Sequence, residues 1–433
     1  MTSKKIAIIG TGVSGLTAAY LLHKHHDITV FEKASRLGGH TATKTVEVQN
    51  NRYAIDTGFI VYNDWTYPNF IRLLKQLGVD TQATTMGFSV SDSASGYEYA
   101  GENINTLFCQ RRNFFSIKHW RMIRDILRFN KEAVRDFQAG DINATQTLGQ
   151  YLSQHGYSDA FRDFYLLPMG AAIWSSSLGE MLDFPLLFFV RFCHNHGLLS
   201  VNERPTWRVI KGGSHAYIPK ITQGYKERIR LGSQITQISR TLKGVELIVD
   251  GQRECFDEVV FACHSDEALA LLSDASASEQ EVLGAIHYRP NSVVLHTDQR
   301  LLPKHKLAWS SWNYQLGDDA QKPPVLTYNM NILQCLDAPV EFCVTLNARE
   351  KIDDAAILGE YEYAHPVFTQ AAIAAQERWG EVNGVNKTWF CGAYWFNGFH
   401  EDGVKSAARV AQFLEGDTLT QDPFTERLGE AQR

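Results

Sequence analysis

An α/β fold is what the sequence predicts, and three observations in its first forty residues carry the prediction. Residues 5–10, KIAIIG, are a continuous apolar run ending in glycine, the pattern of a strand buried on both faces. Gly10, Gly12 and Gly15 follow in GxGxxG spacing and lead into a helix-forming run from Leu16 to Leu22. Ile28 to Phe31 then reads as a second strand, with Glu32 at its carboxyl end, 22 residues beyond the first glycine. Together these make a Rossmann-like βαβ unit.

Each part of that unit has a physical task. Gly10 permits the tight turn, Gly12 lets a pyrophosphate approach the backbone, and Gly15 lets the helix sit close on the sheet. The helix start at Val13 and Ser14 offers unpaired N–H groups and a positive dipole end to the phosphates. Glu32 can accept hydrogen bonds from both ribose hydroxyls, and its charge would repel a 2′-phosphate.

Composition narrows the rest. The chain has 433 residues, 44% hydrophobic and 21% charged, enough for two or three cores. A net charge of −6 argues against nucleic acid as a partner. Seven scattered cysteines without a CxxC pair suit reduced thiols in a cytosol better than disulfides or zinc. His23-Lys24-His25-His26 and His194-Asn195-His196 lack partners at ligand spacing, so no metal is expected. The apolar run at Ile6–Gly10 is too short for a signal peptide, and Phe184–Cys193 is interrupted by Pro185 and Arg191. The expected location is therefore cytoplasmic, or peripheral to the inner face of the cytoplasmic membrane.

Beyond Glu32 the chain continues with Lys33, Arg36, Gly38, Gly39 and His40, and residues 55–63 read IDTGFIVYN. Trp207–Pro219 carries a GG pair, and Gly392 begins a strand–loop–helix that passes through GFHEDG. In that order these segments resemble the flavin amine oxidase, protoporphyrinogen oxidase and carotenoid desaturase superfamily, whose members carry ExxxxxGGR and bind FAD. Arg36, Gly38 and Gly39 match; His40 stands where many members have Arg, and Ala393 where most have an acid.

The resemblance implies a glutathione-reductase-type FAD-binding domain interleaved with a mixed α+β substrate domain that has a helical insertion. The FAD domain would comprise 1–78, 206–268 and 386–433, the helical part of the substrate domain 79–205, and its sheet part 269–385. It also implies FAD contacts from Lys33 and from Thr57, Gly58 and Phe59, a backbone contact to adenine near Ile235, and contacts at Gly392. The helix expected at Val404–Leu414 would aim its start at the flavin, with His400, Glu401, Asp402 and Gly403 in the loop before it. Catalytic residues stay open. Tyr394, Trp395 and Phe396 are favoured for the pocket wall, with Tyr62, Trp174, Trp309 and Trp312 behind them. Lys306, or Lys304, is the candidate for the lysine that amine oxidases hold beside the flavin.

The segments GGHTAT, DTGFIVYN and GFHEDG resemble one bacterial subgroup in particular. Its members are associated with cyclopropane-fatty-acid-synthase-like methyltransferases and with methylated or furan fatty acids. That likeness implies an FAD-dependent desaturase taking hydride from the acyl chains of phospholipids, with an unidentified electron acceptor. An amine oxidase making an imine and peroxide, or a non-redox double-bond isomerase, are the alternatives.

Two segments bear on a lipid. Between 111 and 135 there are eight Lys or Arg against two acids, a local charge of +6. Ile117, Trp120, Ile123, Leu127, Val134 and Phe137 recur there at helical spacing. The 111–137 segment is either an interfacial helix on anionic lipid or a core-facing helix with a solvated basic face. Phe184–Phe192 reads as a tunnel lip or as a buried helix start.

Overall fold

The computed structural model of the protein describes residues 2–201, 203–317 and 319–416; the end of the expected last FAD segment, 417–433, lies outside them. Strand β1 (Lys5–Ile9), helix α1 (Val13–Leu22) and strand β2 (Asp27–Glu32) form the opening unit. Three later strands complete its sheet: β3 (Ile229–Leu231), β4 (Glu258–Phe261) and β5 (Thr388–Phe390). Their order is β3-β2-β1-β4-β5, with every neighbouring pair parallel. The chain leaves β1 toward β2 on one side and is met by β4 on the other. Such a switch in strand order opens a crevice at the strand's carboxyl end. That is where Gly10 to Gly12 lie.

Three helices frame this crevice or the second domain: α2 (Pro68–Gln76), α3 (Ile117–Ala139) and α4 (His400–Glu415). The last begins four residues before the expected Val404. The Asp402 carboxylate accepts the Phe399 N–H at 2.9 Å, which closes the first turn and makes a helix start of residues expected in a loop. Helix α1 is buried on nearly every side, as its unbroken apolar run requires, and α4 packs along it. A Cβ on Gly403 would fall 2.6 Å from Val13 Cγ1 and 2.8 Å from Ser14 Oγ. Gly403→Val should therefore destabilise the fold by about 1–3 kcal/mol, visible as a lower urea midpoint at unchanged slope.

The second layer is a seven-stranded, mostly antiparallel sheet. Its spatial order is Ile357–Pro366, Tyr288–His296, Cys343–Leu346, Val325–Asn329, Trp312–Leu316, Phe88–Asp92, Tyr97–Ala100. The last two strands come from the stretch read as helical. Phe88–Asp92 forms a local hairpin with Tyr97–Ala100 and joins the sheet through Trp312–Leu316, more than 200 residues away. Phe184 closes a buried aromatic core with the helix Leu186–Asn195, whose N-cap is Pro185.

Helix α3 corrects the reading of its apolar stripe as a core-facing surface. His119, Met122, Asp125, Phe129, Ala133 and Asp136 face inward, whereas Ile117, Trp120 and Leu127 face water. The inward polar groups are satisfied: Asp125 accepts the Ser158 N–H, and Asp136 accepts from the Tyr151 hydroxyl. Among the described residues, no helix is long and apolar enough to cross a membrane.

Candidate cofactor and active site

The crevice at the end of β1 is built for an anion. Gly10 turns with φ +104°, and its N–H donates to the Phe31 carbonyl at 2.8 Å. Gly12 is the N-cap of α1, with no side-chain cap and no acid in the first turn. A Cβ on Gly12 would meet nothing within 4 Å, so the space before the helix is open. A Cβ on Gly15 would lie 2.0 Å from the Gly10 carbonyl oxygen, so helix and turn touch. Free first-turn N–H groups facing open space fit a pyrophosphate.

The groups beside that space are fixed by the named loop residues together with Thr11 and Ala34, to which no motif gives a role. Glu32 accepts the N–H of Thr11 at 3.0 Å and of Ala34 at 2.9 Å, and Thr11 also receives the Gly38 N–H on its carbonyl at 3.1 Å. Gly38 and Gly39 have φ of +108° and +54°, which explains the glycine pair. Arg36 donates to the Gly39 carbonyl at 2.8 Å and braces the loop, and Lys33 is paired with Glu267. The N–H groups of Gly232 and Ser233 donate to the carbonyls of Ala34 and Glu32, which brings Ile235 just past the end of β2.

Further along, four segments meet. Phe59 N–H donates to the His40 carbonyl at 2.8 Å, and a Cβ on Gly58 would fall 2.2 Å from that same oxygen. Thr57 Oγ1 lies 2.9 Å from the Tyr363 hydroxyl. Asp56 is fully buried and accepts from Ser214 N–H, Ser214 Oγ and Thr43 Oγ1; burial still pushes its carboxyl up to about 6. His400 stacks on Phe59 at 3.5 Å, and its Nε2 is 3.0 Å from Thr41 Oγ1, itself 2.7 Å from the Tyr217 hydroxyl. Burial drives His400 down to about 3, so it is neutral. Gly392 N–H donates to Ser406 Oγ at 3.0 Å, tying the end of β5 to α4. Val13 and Ser14 at the start of α1 and Gly403 and Val404 at the start of α4 are buried where the two helices meet.

The two acids of GFHEDG are turned to other work. Glu401 accepts the N–H groups of Asn69 and Phe70 and the Asn69 side-chain amide, so it caps α2. Burial pushes Glu401 up to about 8 and Asp402 up to about 6.

A cluster of imidazoles was not legible in the sequence. The His40 ring lies 5.4 Å from His365, 6.1 Å from His264 and 5.2 Å from the Tyr363 ring. Ser175, in the left-handed region at φ +53°, has Oγ 3.0 Å from His365 Nδ1. Burial lowers all three histidines. These residues come from four separate segments, so only the fold assembles them.

The aromatic candidates divide. Tyr394 and Trp395 sit in the core of the nucleotide-binding domain, with Trp395 Nε1 donating to the Phe390 carbonyl at 2.9 Å. Phe396 is half-buried under the Lys405 ammonium at 4.4 Å. Lys306 is exposed beside the strand Tyr97–Ala100, its Nζ 5.2 Å above the Trp309 ring, which places it on the surface and not with these groups. A buried aromatic cluster joins Trp174 and the Phe184–Phe192 stretch, both named from sequence, to Phe368 and Phe399, which were not. Phe399, the residue before α4, stacks on Phe192 at 5.2 Å, and Phe192 meets Trp174 at 4.8 Å. Trp174 meets Phe184 at 4.6 Å, and Phe188 stacks on Phe368 at 5.1 Å.

Comparison with known proteins agrees with this geometry. A family model described as flavin containing amine oxidoreductase matches residues 13–331. The chain is 23% identical over 292 residues to bovine amine oxidase [flavin-containing] A, covering 66% of this chain and 51% of that protein. It thus spans about half the length of that relative. Wild-type putrescine oxidase bound to putrescine superimposes with a TM-score of 0.67 at 16% identity, over 96% of this chain and 99% of its own. A fatty acid isomerase from P. acnes that produces CLA does so with 0.67 at 15%, over 95% and 98%. The solved structures share the fold.

Proposed function

The chain belongs to the flavin containing amine oxidoreductase family, and from that premise we propose that it is an FAD-dependent oxidoreductase that dehydrogenates an acyl chain, most specifically that of a phospholipid. Its cofactor is FAD. The first-turn N–H groups of α1 beyond Gly12 would hold the pyrophosphate and Glu32 the ribose. The start of α4 would present its positive dipole end to the flavin ring. Bound FAD supplies a two-electron acceptor for hydride taken from a substrate carbon.

One observation carries the choice of an apolar substrate over an amine. The aromatic wall reaches the start of α4 at Phe399, and the two carboxyls of that first turn, Glu401 and Asp402, are engaged on helix starts. An ammonium needs an anionic or strongly accepting partner when desolvated, and neither acid is offered. Aromatic faces bury an alkyl chain and exclude water from it.

The test is anaerobic mixing of the holoprotein with an unsaturated phospholipid and, separately, with putrescine. Loss of the oxidised-flavin absorbance with the lipid and none with putrescine is expected. Bleaching by putrescine alone refutes the acyl reading. Lipid converted without any bleaching assigns the isomerase reading instead.

A further inference from the structure

We propose that the turn Arg111–Phe115 together with the outer face of α3 is a docking surface for an anionic phospholipid bilayer. The inference rests on this surface alone and holds whichever bond the flavin oxidises.

The surface is apolar where a soluble surface is ordinarily polar. Phe115 is 91% exposed, Ile117 72%, Trp120 49%, and Phe114, Leu127 and Ile104 are also exposed. Six of the fourteen large hydrophobic residues exposed among the described residues thus fall between 104 and 127, a cluster and not a scatter. The cluster is rigid. Phe108 and Phe114 stack at 4.1 Å, Phe108 meets Trp120 at 5.2 Å, and Trp120 Nε1 donates to the Phe114 carbonyl at 2.9 Å. The indole N–H is satisfied by protein, which leaves the ring's apolar body outward, as an interfacial tryptophan requires.

Charge identifies the partner. Lys118, Arg121, Arg124, Lys131 and Arg135 are exposed on the same helix, interleaved with Ile117, Trp120 and Leu127. Arg124 and Arg135 each bond the acid that follows them, at 3.0 and 2.7 Å, while among the described residues Arg121 and Lys131 have no ion-pair partner. The segment's +6 stands in a chain of net −6, so the basic face is local and not a property of the whole surface. Beside Phe115 a shallow cleft of about 330 Å³ runs between Arg112 and Lys118, lined also by Asn113. Asn113 is buried, and among the described residues its side-chain nitrogen has no acceptor. A basic helix whose aromatic and aliphatic side chains project beside its charges lies in the plane of a bilayer, rings among the acyl carbons and cations at the phosphates. A second copy docked through this same face would bring two basic surfaces together and be repelled.

The experiment is co-sedimentation of the FAD-loaded protein with phosphatidylcholine vesicles, with and without phosphatidylglycerol, at low and high salt. Binding to the phosphatidylglycerol vesicles, weakened by salt and absent from phosphatidylcholine alone, is expected. Arg121→Glu with Lys131→Glu should weaken the partition by about 25-fold or more, taking roughly fivefold per charge. Phe115→Ser with Ile117→Ser should weaken it by about tenfold while leaving the thermal midpoint unchanged. No binding to anionic vesicles overturns the proposal, as does equal binding by both variants. A wild-type oligomer that Phe115→Ser with Ile117→Ser dissociates in light scattering also overturns it, because the patch would then be covered by another copy.

Discussion

Gly12→Val is expected to give a folded protein that no longer holds FAD. The would-be Cβ meets nothing within 4 Å, and Gly12 has φ −62°, which any residue adopts. The folded chain therefore accommodates the isopropyl group, and thermal stability without cofactor should stay within about 0.5 kcal/mol. The same empty volume is what a pyrophosphate would occupy. Two or more charge-assisted hydrogen bonds to α1's first-turn N–H groups would be lost, about 3 kcal/mol or more, which is at least roughly a hundredfold in affinity. Purified Gly12→Val should be colourless and resist reconstitution, while its circular dichroism matches the wild type. Gly15→Val is the contrast: its Cβ would strike the Gly10 carbonyl at 2.0 Å, so it should fail to fold. Full flavin content in Gly12→Val would remove the pyrophosphate from this crevice.

Acid is expected to unfold the cofactor-free protein through its buried histidines. Burial lowers His196, His296 and His365 to about 4 and His400 to about 3, against an ordinary 6.5. A group whose folded value is depressed binds fewer protons folded than unfolded between the two values. Its stabilisation is complete above 6.5 and is lost as pH falls toward 4. For buried His196 and His296 the loss has an upper bound on the order of 3 kcal/mol each, and for His400 on the order of 5 kcal/mol. Glu401 acts in the opposite sense, since burial raises it from 4.5 to about 8. Its contribution is complete below 4.5 and is lost as pH rises toward 8. Asp56 and Asp402, raised to about 6, partly offset the histidines on the acid side. Urea unfolding across pH should show a steep acid limb below 6.5, a maximum near there and a shallow decline toward 8. Glu401→Gln should flatten the decline and steepen the acid limb between 4.5 and 6.5, where Glu401 opposes the histidines. A flat profile between pH 4 and 6.5 would contradict the neutral, buried histidines.

How much of this was legible follows from where each feature is encoded. The opening βαβ unit is written in forty consecutive residues, so Gly10, Gly12, Gly15 and Glu32 were read directly and stand together at the end of β1 and β2. Thr11, Thr41 and Tyr217, which fix that geometry, lie inside the quoted segments without an assigned role and are joined only by the fold. The start of α4 was read four residues late because Gly398 and Gly403 look like loop residues, yet Gly403 is there to let α4 touch α1. The strands at Phe88–Ala100 pair locally with each other but join the sheet through Trp312–Leu316, and the cluster of His40, His264 and His365 likewise draws on segments hundreds of residues apart. On α3 periodicity found a helix but not its orientation. Polar His119, Asp125 and Asp136 took the inner face because Tyr97, Ser158 and Tyr151 satisfy them there. Lys306 was an assignment from family habit, and it faces solvent.

The cap that Glu401 places on α2 has a consequence for biosynthesis. Helix α2 emerges from the ribosome early, but its N–H groups at Asn69 and Phe70 wait for an acceptor more than 300 residues downstream. Strand β5, likewise, joins a sheet whose first strand appeared about 380 residues before it, ~20–80 s earlier at 5–20 residues per second. During that interval the first half of the cofactor domain is an unfinished edge, and nascent chains should depend on chaperone protection until translation passes residue 415.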